Sequence, residues 1–161
     1  MELRGRYVTL LNEVAKRRPS TILEIGTHCG NSAIRMVAVA EMYNDDIFYY
    51  GFDIFDWGDQ DFMKAEFKKF SPDRYIDFVF IDGGHSVETI ESDWNYIKHL
   101  MGKQTVVVFD DYYENRDDFG CKKLIDNLQK EKNYKIEKLD PLEVVEKNNI
   151  ELRLVKVTKC Q

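Results

Sequence analysis

The chain has 161 residues, with 23 Lys and Arg against 29 Asp and Glu, and a formal net charge of −6 at pH 7. This length is typical of one domain with a buried core, so we expect a single domain over residues 1–161. The acidic balance argues against a nucleic-acid-binding protein, because such proteins carry a basic surface. We expect a small-molecule or protein partner instead.

The cysteines and the apolar runs indicate the cellular compartment. Cys29, Cys121 and Cys160 are far apart and form no CxxC pair, which is typical of reduced thiols in the cytoplasm. No run approaches the roughly 18 apolar residues of a membrane span, and residues 1–6 lack the apolar core of a signal peptide. The sequence therefore predicts a cytoplasmic protein with no membrane partner.

Hydrophobic periodicity predicts helices and strands in alternation. In chain order the predicted elements are helix 2–18, strand 21–25, helix 31–42, strand 47–54, helix 62–70, strand 76–81, helix 86–101, strand 105–109, helix 121–132, strand 134–139 and strand 150–157. This alternation predicts an α/β fold with a doubly wound, mostly parallel sheet. The last two strands, with a turn near Asn148-Asn149, are expected to form an antiparallel hairpin.

Two of these elements carry more specific predictions. Helix 31–42 has Ile34, Val37 and Ala38 at helical spacing, which predicts that they form its packing stripe. Strand 47–54 is almost continuously apolar and aromatic, which is typical of a central parallel strand covered on both faces.

The most informative stretch is Glu24-Ile25-Gly26-Thr27-His28-Cys29-Gly30, where an apolar strand runs into a turn bracketed by glycines and then into a helix. Glycines allow a tight turn and close approach of a ligand, and the helix N-terminus offers unpaired N–H groups to a carboxylate or phosphate. The dinucleotide fingerprint requires a glycine where His28 stands. The acidic residue two positions before Gly26 suits a cationic or amine-bearing ligand.

Carboxylates lie where the predicted parallel strands end. Asp53 closes the second strand, Asp82 follows the third, and Asp110-Asp111 follow the fourth. Open α/β sheets bind ligands at this edge. Asp53 is placed to accept hydrogen bonds from both hydroxyls of a ribose, although a turn former or helix cap is the alternative for an acidic residue after a strand.

The Glu24–Gly30 segment resembles motif I of class I S-adenosylmethionine-dependent methyltransferases. Phe78–Ser86, Asp93-Trp94 and Val106–Tyr112 narrow the resemblance to a branch of small-molecule O-methyltransferases that includes sugar and macrolide enzymes. The resemblance extends from about residue 20 to 157. It implies a Rossmann-like fold, S-adenosylmethionine as cofactor, and methylation of an oxygen of a small molecule such as a sugar.

The resemblance also implies a cofactor-binding set. The turn would hold the methionine end of S-adenosylmethionine, with Thr27, Asn31 or Ser32 donating to its carboxylate. The residues implied are Glu24, Gly26, Thr27, Gly30, Asn31, Ser32, Asp53 and Asp82.

In that branch the residues at the positions of Asp82, Asp110 and Asp111 bind a divalent metal, usually Mg²⁺. A hard cation would relieve the repulsion among three carboxylates and lower the pKa of an attacking hydroxyl. The alternative is local: Asp82 caps the next helix or contacts the cofactor amine, and Asp110-Asp111 form an Asx turn.

His85 is the predicted catalytic base, with Asp82 beside it in the catalytic set. It follows a Gly-Gly turn at the ligand-binding edge, and imidazole titrates near neutral pH. Relatives often place an acidic base two residues after the first aspartate, but this chain has Gly84 there, which shifts the weight to His85. The alternative is a structural histidine hydrogen-bonded to the backbone.

Aromatic residues near the same edge are candidates for shielding the sulfonium or enclosing the acceptor. Tyr112 and Tyr113 are the strongest of these, and Phe55 and Trp57 are the others. The alternative is ordinary core and loop packing.

The interval from Asp53 to Ile76 is shorter than the helix, strand and adenine-contacting loop that the resemblance requires. We therefore expect one edge strand to be missing, with adenine either held by Ile54, Phe55 and the following loop or held poorly. The exposed strand edge could then pair in a homo-oligomer. A non-catalytic or regulatory module that binds S-adenosylmethionine is the alternative function, and a nicotinamide-dependent oxidoreductase is disfavoured by His28.

Overall fold

The strands lie in one mixed sheet with helices on both faces. The computed structural model describes residues 5–53, 69–145 and 149–160. In these residues the helices are α1 (Arg6–Arg17), α2 (Asn31–Glu41), α3 (Val87–Leu100) and α4 (Lys122–Lys130). The strands are β1 (Thr21–Ile25), β2 (Phe48–Phe52), β3 (Ile76–Ile81), β4 (Met101–Tyr113), β5 (Tyr134–Lys138), β6 (Glu143–Val145) and β7 (Ile150–Lys159).

The strand order in the described residues is β2-β1-β3-β4-β7-β5, with β6 paired to β7. The first four strands in this order are parallel, and β7 runs antiparallel to β4, β5 and β6. This arrangement confirms the predicted α/β fold with an antiparallel C-terminal part. β1 and β3 have the predicted bounds, whereas β4 is longer than predicted because it pairs with β7 as far as Tyr113.

Two apolar clusters cover the two faces of the sheet. Successive residues of β3 point to opposite faces, so Val79 belongs to the cluster with α3 and α4, and Phe80 to the cluster with α1 and α2. Both side chains are fully buried. A strand buried on both faces is what a doubly wound sheet requires.

The packing stripe of α2 differs from the predicted one. Ala33, Met36 and Ala40 are buried, whereas Ile34 is 70% exposed. Both sets have helical spacing, so periodicity alone does not separate them. The observed stripe brings two small alanines to the sheet, which lets the helix pack closely.

The prediction that β2 is a central strand is wrong. Among the described residues β2 is the edge strand beside β1, and none of its residues is buried. Its aromatic run is explained by edge packing: the ring centroids of Tyr50 and Phe52 lie 5.1 and 5.0 Å from that of Phe70, and the Arg74 guanidinium lies over the Phe48 ring. The predicted loss of one strand concerns an interval that lies mostly outside the described residues, so it stays a prediction.

Part of the predicted middle region lies outside the described residues. This applies to Ile54, Phe55 and Trp57, and to residues 62–68 of the predicted helix. Among the described residues, no helix combines the length and the apolar character needed to cross a membrane.

Candidate active site

The register of the parallel strands brings residues 53, 26, 82 and 110 to the same edge of the sheet. The last residues of β2, β1 and β3 are paired with one another, and Ile81 is paired with Phe109 of β4. The next residue in each strand is one that the sequence singled out. In sheet order these residues are Asp53, Gly26, Asp82 and Asp110.

The glycine-bracketed turn is fastened to this edge by its backbone. Gly26 has φ 92° and donates its N–H to the Phe52 carbonyl at 2.8 Å. The Asp53 carboxylate accepts the His28 N–H at 2.5 Å. The turn and the carboxylate after β2 are therefore held together, as a shared ligand site requires.

The N-terminus of α2 faces the same region without a side-chain cap. The residue before the helix, Gly30, has φ 76° and no side chain to accept a hydrogen bond. The Asn31 side chain instead donates to Cys29 Sγ at 2.9 Å, and Ser32 is half-buried. The first-turn N–H groups of an uncapped helix are a site for an anionic ligand group.

Glu24 is a fully buried carboxylate on β1. Its Oε2 accepts a hydrogen bond from the Tyr49 hydroxyl, which also lies 3.3 Å from Thr27 Oγ1. Its Oε1 has no partner within the described part of the chain. Burial raises the pKa of Glu24 to about 7, with the Tyr49 hydrogen bond opposing the shift and the Asp53 charge adding to it. A buried oxygen of this kind is available to accept a hydrogen bond from a ligand or a water molecule.

We expect Glu24→Gln to be more stable than the wild type at pH 8. The folded-state pKa of Glu24 is raised, so its stabilising contribution is present below the unfolded pKa and is lost as the pH rises from 4.5 through about 7. The predicted difference is larger at pH 8 than at pH 5 by about 1–3 kcal/mol. Urea denaturation at both pH values measures it, with the exposed Glu41→Gln as control. The same pH dependence in wild type and Glu24→Gln would contradict the assignment.

His85 and Asp111 form a hydrogen-bonded pair at the end of β4. His85 Nδ1 bonds to Asp111 Oδ2, and Asp111 Oδ1 accepts the Tyr113 hydroxyl at 2.9 Å. The backbone holds the same pair, because Gly120 N–H donates to the His85 carbonyl and Cys121 N–H to the Asp111 carbonyl. His85 is 53% exposed. The pair therefore has the form of a carboxylate-oriented histidine that solvent and ligands can reach.

Asp82 and Asp110 lie beside this pair around a small cavity lined also by Gly83, Gly84 and Asp111. Burial, followed by the charges of Asp110 and Asp111, raises the pKa of Asp82 to about 8. Burial also raises the pKa of Asp110, and the adjacent Arg6 guanidinium opposes that shift. The direction of this shift favours the protonated form of Asp82.

The predicted metal site is not confirmed by this geometry. Among the described residues, no group of three or more His, Cys, Asp or Glu side chains is arranged to hold a metal ion. Asp111 uses its oxygens for His85 and Tyr113, and Asp110 accepts from Arg6 and from the Asp111 N–H. The carboxylates in this arrangement do not fit a divalent cation.

Of the two tyrosines predicted to lie at the site, Tyr113 does and Tyr112 does not. Tyr113 lies at the site through its bond to Asp111, whereas Tyr112 is buried in the core and its hydroxyl donates to Asp126 at 3.2 Å. Adjacent residues of a strand point to opposite faces. Tyr112 therefore packs in the core, which is the alternative that the sequence left open for it.

Comparison with known proteins decides the family. The family model described as a methyltransferase domain matches residues 23–112, which is more than half of the chain. The chain belongs to the methyltransferase domain family. A search of curated protein sequences found none that matches the sequence of this chain.

Solved structures share the fold of this methyltransferase domain. The O-methyltransferase from Bacillus cereus in complex with SAH has a TM-score of 0.64 and 17% identity, over 95% of this chain and 80% of that one. TomG from Streptomyces achromogenes, an O-methyltransferase of tomaymycin synthesis in complex with SAM, has a TM-score of 0.64 and 16% identity, over 96% and 79%. MycE of the mycinamycin pathway, with Mg and SAH, has a TM-score of 0.59 and 16% identity, over 96% and 48%.

Sequence reasoning missed several residues that line this candidate site. Tyr49 reaches Glu24 from β2, Tyr7 lies 3.4 Å from Asp82, and Arg6 reaches Asp110 across 104 positions of sequence. None of them belongs to a local motif. Strand register and the placement of α1, which bring them to the site, are properties of the folded chain.

Proposed function

We propose that this methyltransferase domain binds S-adenosylmethionine at the carboxyl edge of β1 and β2 and transfers its methyl group to an oxygen of a small molecule. The observation that carries the proposal is the buried, unpartnered Oε1 of Glu24 beside the glycine turn. S-adenosylmethionine has an ammonium group that such an oxygen can accept from. The O-methyltransferases of similar fold that bind SAM and SAH support the same assignment.

The residues along this edge fit the parts of S-adenosylmethionine. Glu24 would accept from its ammonium, and the N–H groups of α2 would donate to its carboxylate. Asp53, at the end of β2, would accept from the ribose hydroxyls. The full proposed set is Glu24, Gly26, Thr27, Gly30, Asn31, Ser32, Asp53 and Asp82.

His85 is the proposed base. S-adenosylmethionine supplies an activated methyl group, so the positioning of the acceptor contributes most of the catalysis. Because Asp111 accepts from Nδ1, the other ring nitrogen of His85, Nε2, is the one available to take the acceptor's hydroxyl proton. Asp111 then stabilises the imidazolium that forms.

Asp82 is proposed as a hydrogen-bond donor to the acceptor oxygen. Burial and the neighbouring carboxylates raise its pKa, and the protonated form that this favours can donate a hydrogen bond to the acceptor oxygen. This gives His85 and Asp82 different roles on one acceptor. Neither role requires a metal ion at Asp82, Asp110 and Asp111.

Cofactor binding tests the first half of the proposal. We expect wild type to bind S-adenosylmethionine and S-adenosylhomocysteine in calorimetric titration, and Asp53→Ala to bind about 100-fold more weakly, because bonds to a charged group contribute about 1.5–3 kcal/mol each. Asp46→Ala, exposed just before β2, is the matched control. Thermal melting checks that Asp53→Ala stays folded despite losing the His28 contact.

Three outcomes are informative. Absence of binding by the wild type would overturn the proposed function. Unchanged affinity in a folded Asp53→Ala would remove the ribose assignment. Tight binding without transfer of labelled methyl to any member of a panel of sugars, phenols and other hydroxyl compounds would favour the non-catalytic module.

A further inference from the structure

Arg6 reaches into the carboxylate cluster from the first turn of α1. Its Nε lies 2.8 Å from Asp110 Oδ1 and 3.1 Å from Oδ2. The Arg6 side chain is 21% exposed, and that of Asp110 is 1% exposed. A guanidinium is always charged in proteins. The buried carboxylate of Asp110 therefore has a permanent positive partner within the chain.

Glu143 of β6 holds Arg6 in this position from the other side. Arg6 Nη1 lies 2.5 Å from Glu143 Oε2, and the Arg6 backbone N–H donates to Glu143 Oε1 at 2.6 Å. Gly5 makes this approach possible, because a Cβ at that position would lie 1.7 Å from Glu143 Oε1. Contacts to both the side chain and the backbone fix where the guanidinium lies.

We infer that Arg6 is the resident cation of the carboxylate cluster and keeps divalent cations out of it. The guanidinium neutralises Asp110, as a hard cation would in a cluster of carboxylates. It also takes acceptor positions that an oxygen-coordinated metal would need. The absence of a metal-type arrangement among the described residues is consistent with this role.

Titration with Mn²⁺, followed by electron paramagnetic resonance, tests the inference without any methyl transfer. We expect wild type to bind Mn²⁺ no more tightly than about 1 mM, the weak end of the range for protein cation sites. Arg6→Gln removes an adjacent positive charge, so it is expected to bind Mn²⁺ at least about tenfold more tightly. Adding Asp110→Asn to that variant should abolish the gain. The matched control is Arg17→Gln at the other end of α1, whose partner is Asp77.

Two results would overturn the inference. One is micromolar Mn²⁺ binding by wild type, which needs no variant to be observed. The other is a folded Arg6→Gln whose affinity for Mn²⁺ equals that of wild type. Glu143→Gln covers the case in which Arg6→Gln does not fold. It loosens Arg6 without removing it, so it should tighten Mn²⁺ binding, and unchanged binding would count against the inference.

Discussion

His85→Ala is expected to slow methyl transfer by about 100- to 10,000-fold, the usual contribution of a general base. The affinity for S-adenosylhomocysteine should not change, because His85 bonds to Asp111, which is not in the proposed cofactor-binding set. The measurement is transfer of labelled methyl to an acceptor found in the panel, with calorimetric binding alongside. Loss of rate without loss of binding separates a catalytic role from a structural one.

Two controls accompany this prediction. His99→Ala, exposed on α3, should behave as wild type. Asp111→Asn should lower the rate less than His85→Ala, since it leaves the imidazole in place but removes the carboxylate that orients it. A wild-type rate in His85→Ala would remove the base assignment.

Gly26→Ala is expected to destabilise the protein by at least about 3 kcal/mol. A Cβ at Gly26 would lie 1.9 Å from the Asp82 carbonyl oxygen, at φ 92°, where only glycine is unstrained. The obstructing atom belongs to backbone, and Asp82 N–H is bonded to the Ile25 carbonyl at 2.8 Å. The clash therefore cannot be relieved by rotating a side chain. Urea denaturation, or loss of soluble protein, measures the effect.

Gly30→Ala is the matched comparison. It lies in the same turn at φ 76°, but a Cβ there would meet nothing within 4 Å. Only the left-handed backbone conformation is then penalised, at about 1–2 kcal/mol. Equal losses for Gly26→Ala and Gly30→Ala would show that the approach of Asp82 to Gly26 has no energetic weight.

The sequence predicted those parts of the fold that depend on local pattern. β1 and β3 were predicted to the residue, because short apolar runs bounded by turn residues have few other readings. The sequence also predicted that Asp53, Gly26, Asp82 and Asp110 lie together at one edge of the sheet, since the residues that follow parallel strands meet there. The predicted packing stripe of α2, with Ile34, was wrong. The stripe that is buried, with Met36, has the same helical period, so the sequence pattern could not distinguish the two.

The sequence by itself determined the family, the glycine turn, and the positions of Asp53, Asp82 and His85, because each lies in or directly after a local pattern. Only the tertiary structure decided how their charges are balanced. Tyr49 covers Glu24, Asp111 orients His85, and Arg6 neutralises Asp110. These contacts join residues from different elements, and the electrostatic energy of a carboxylate depends on what folding brings within a few ångströms of it.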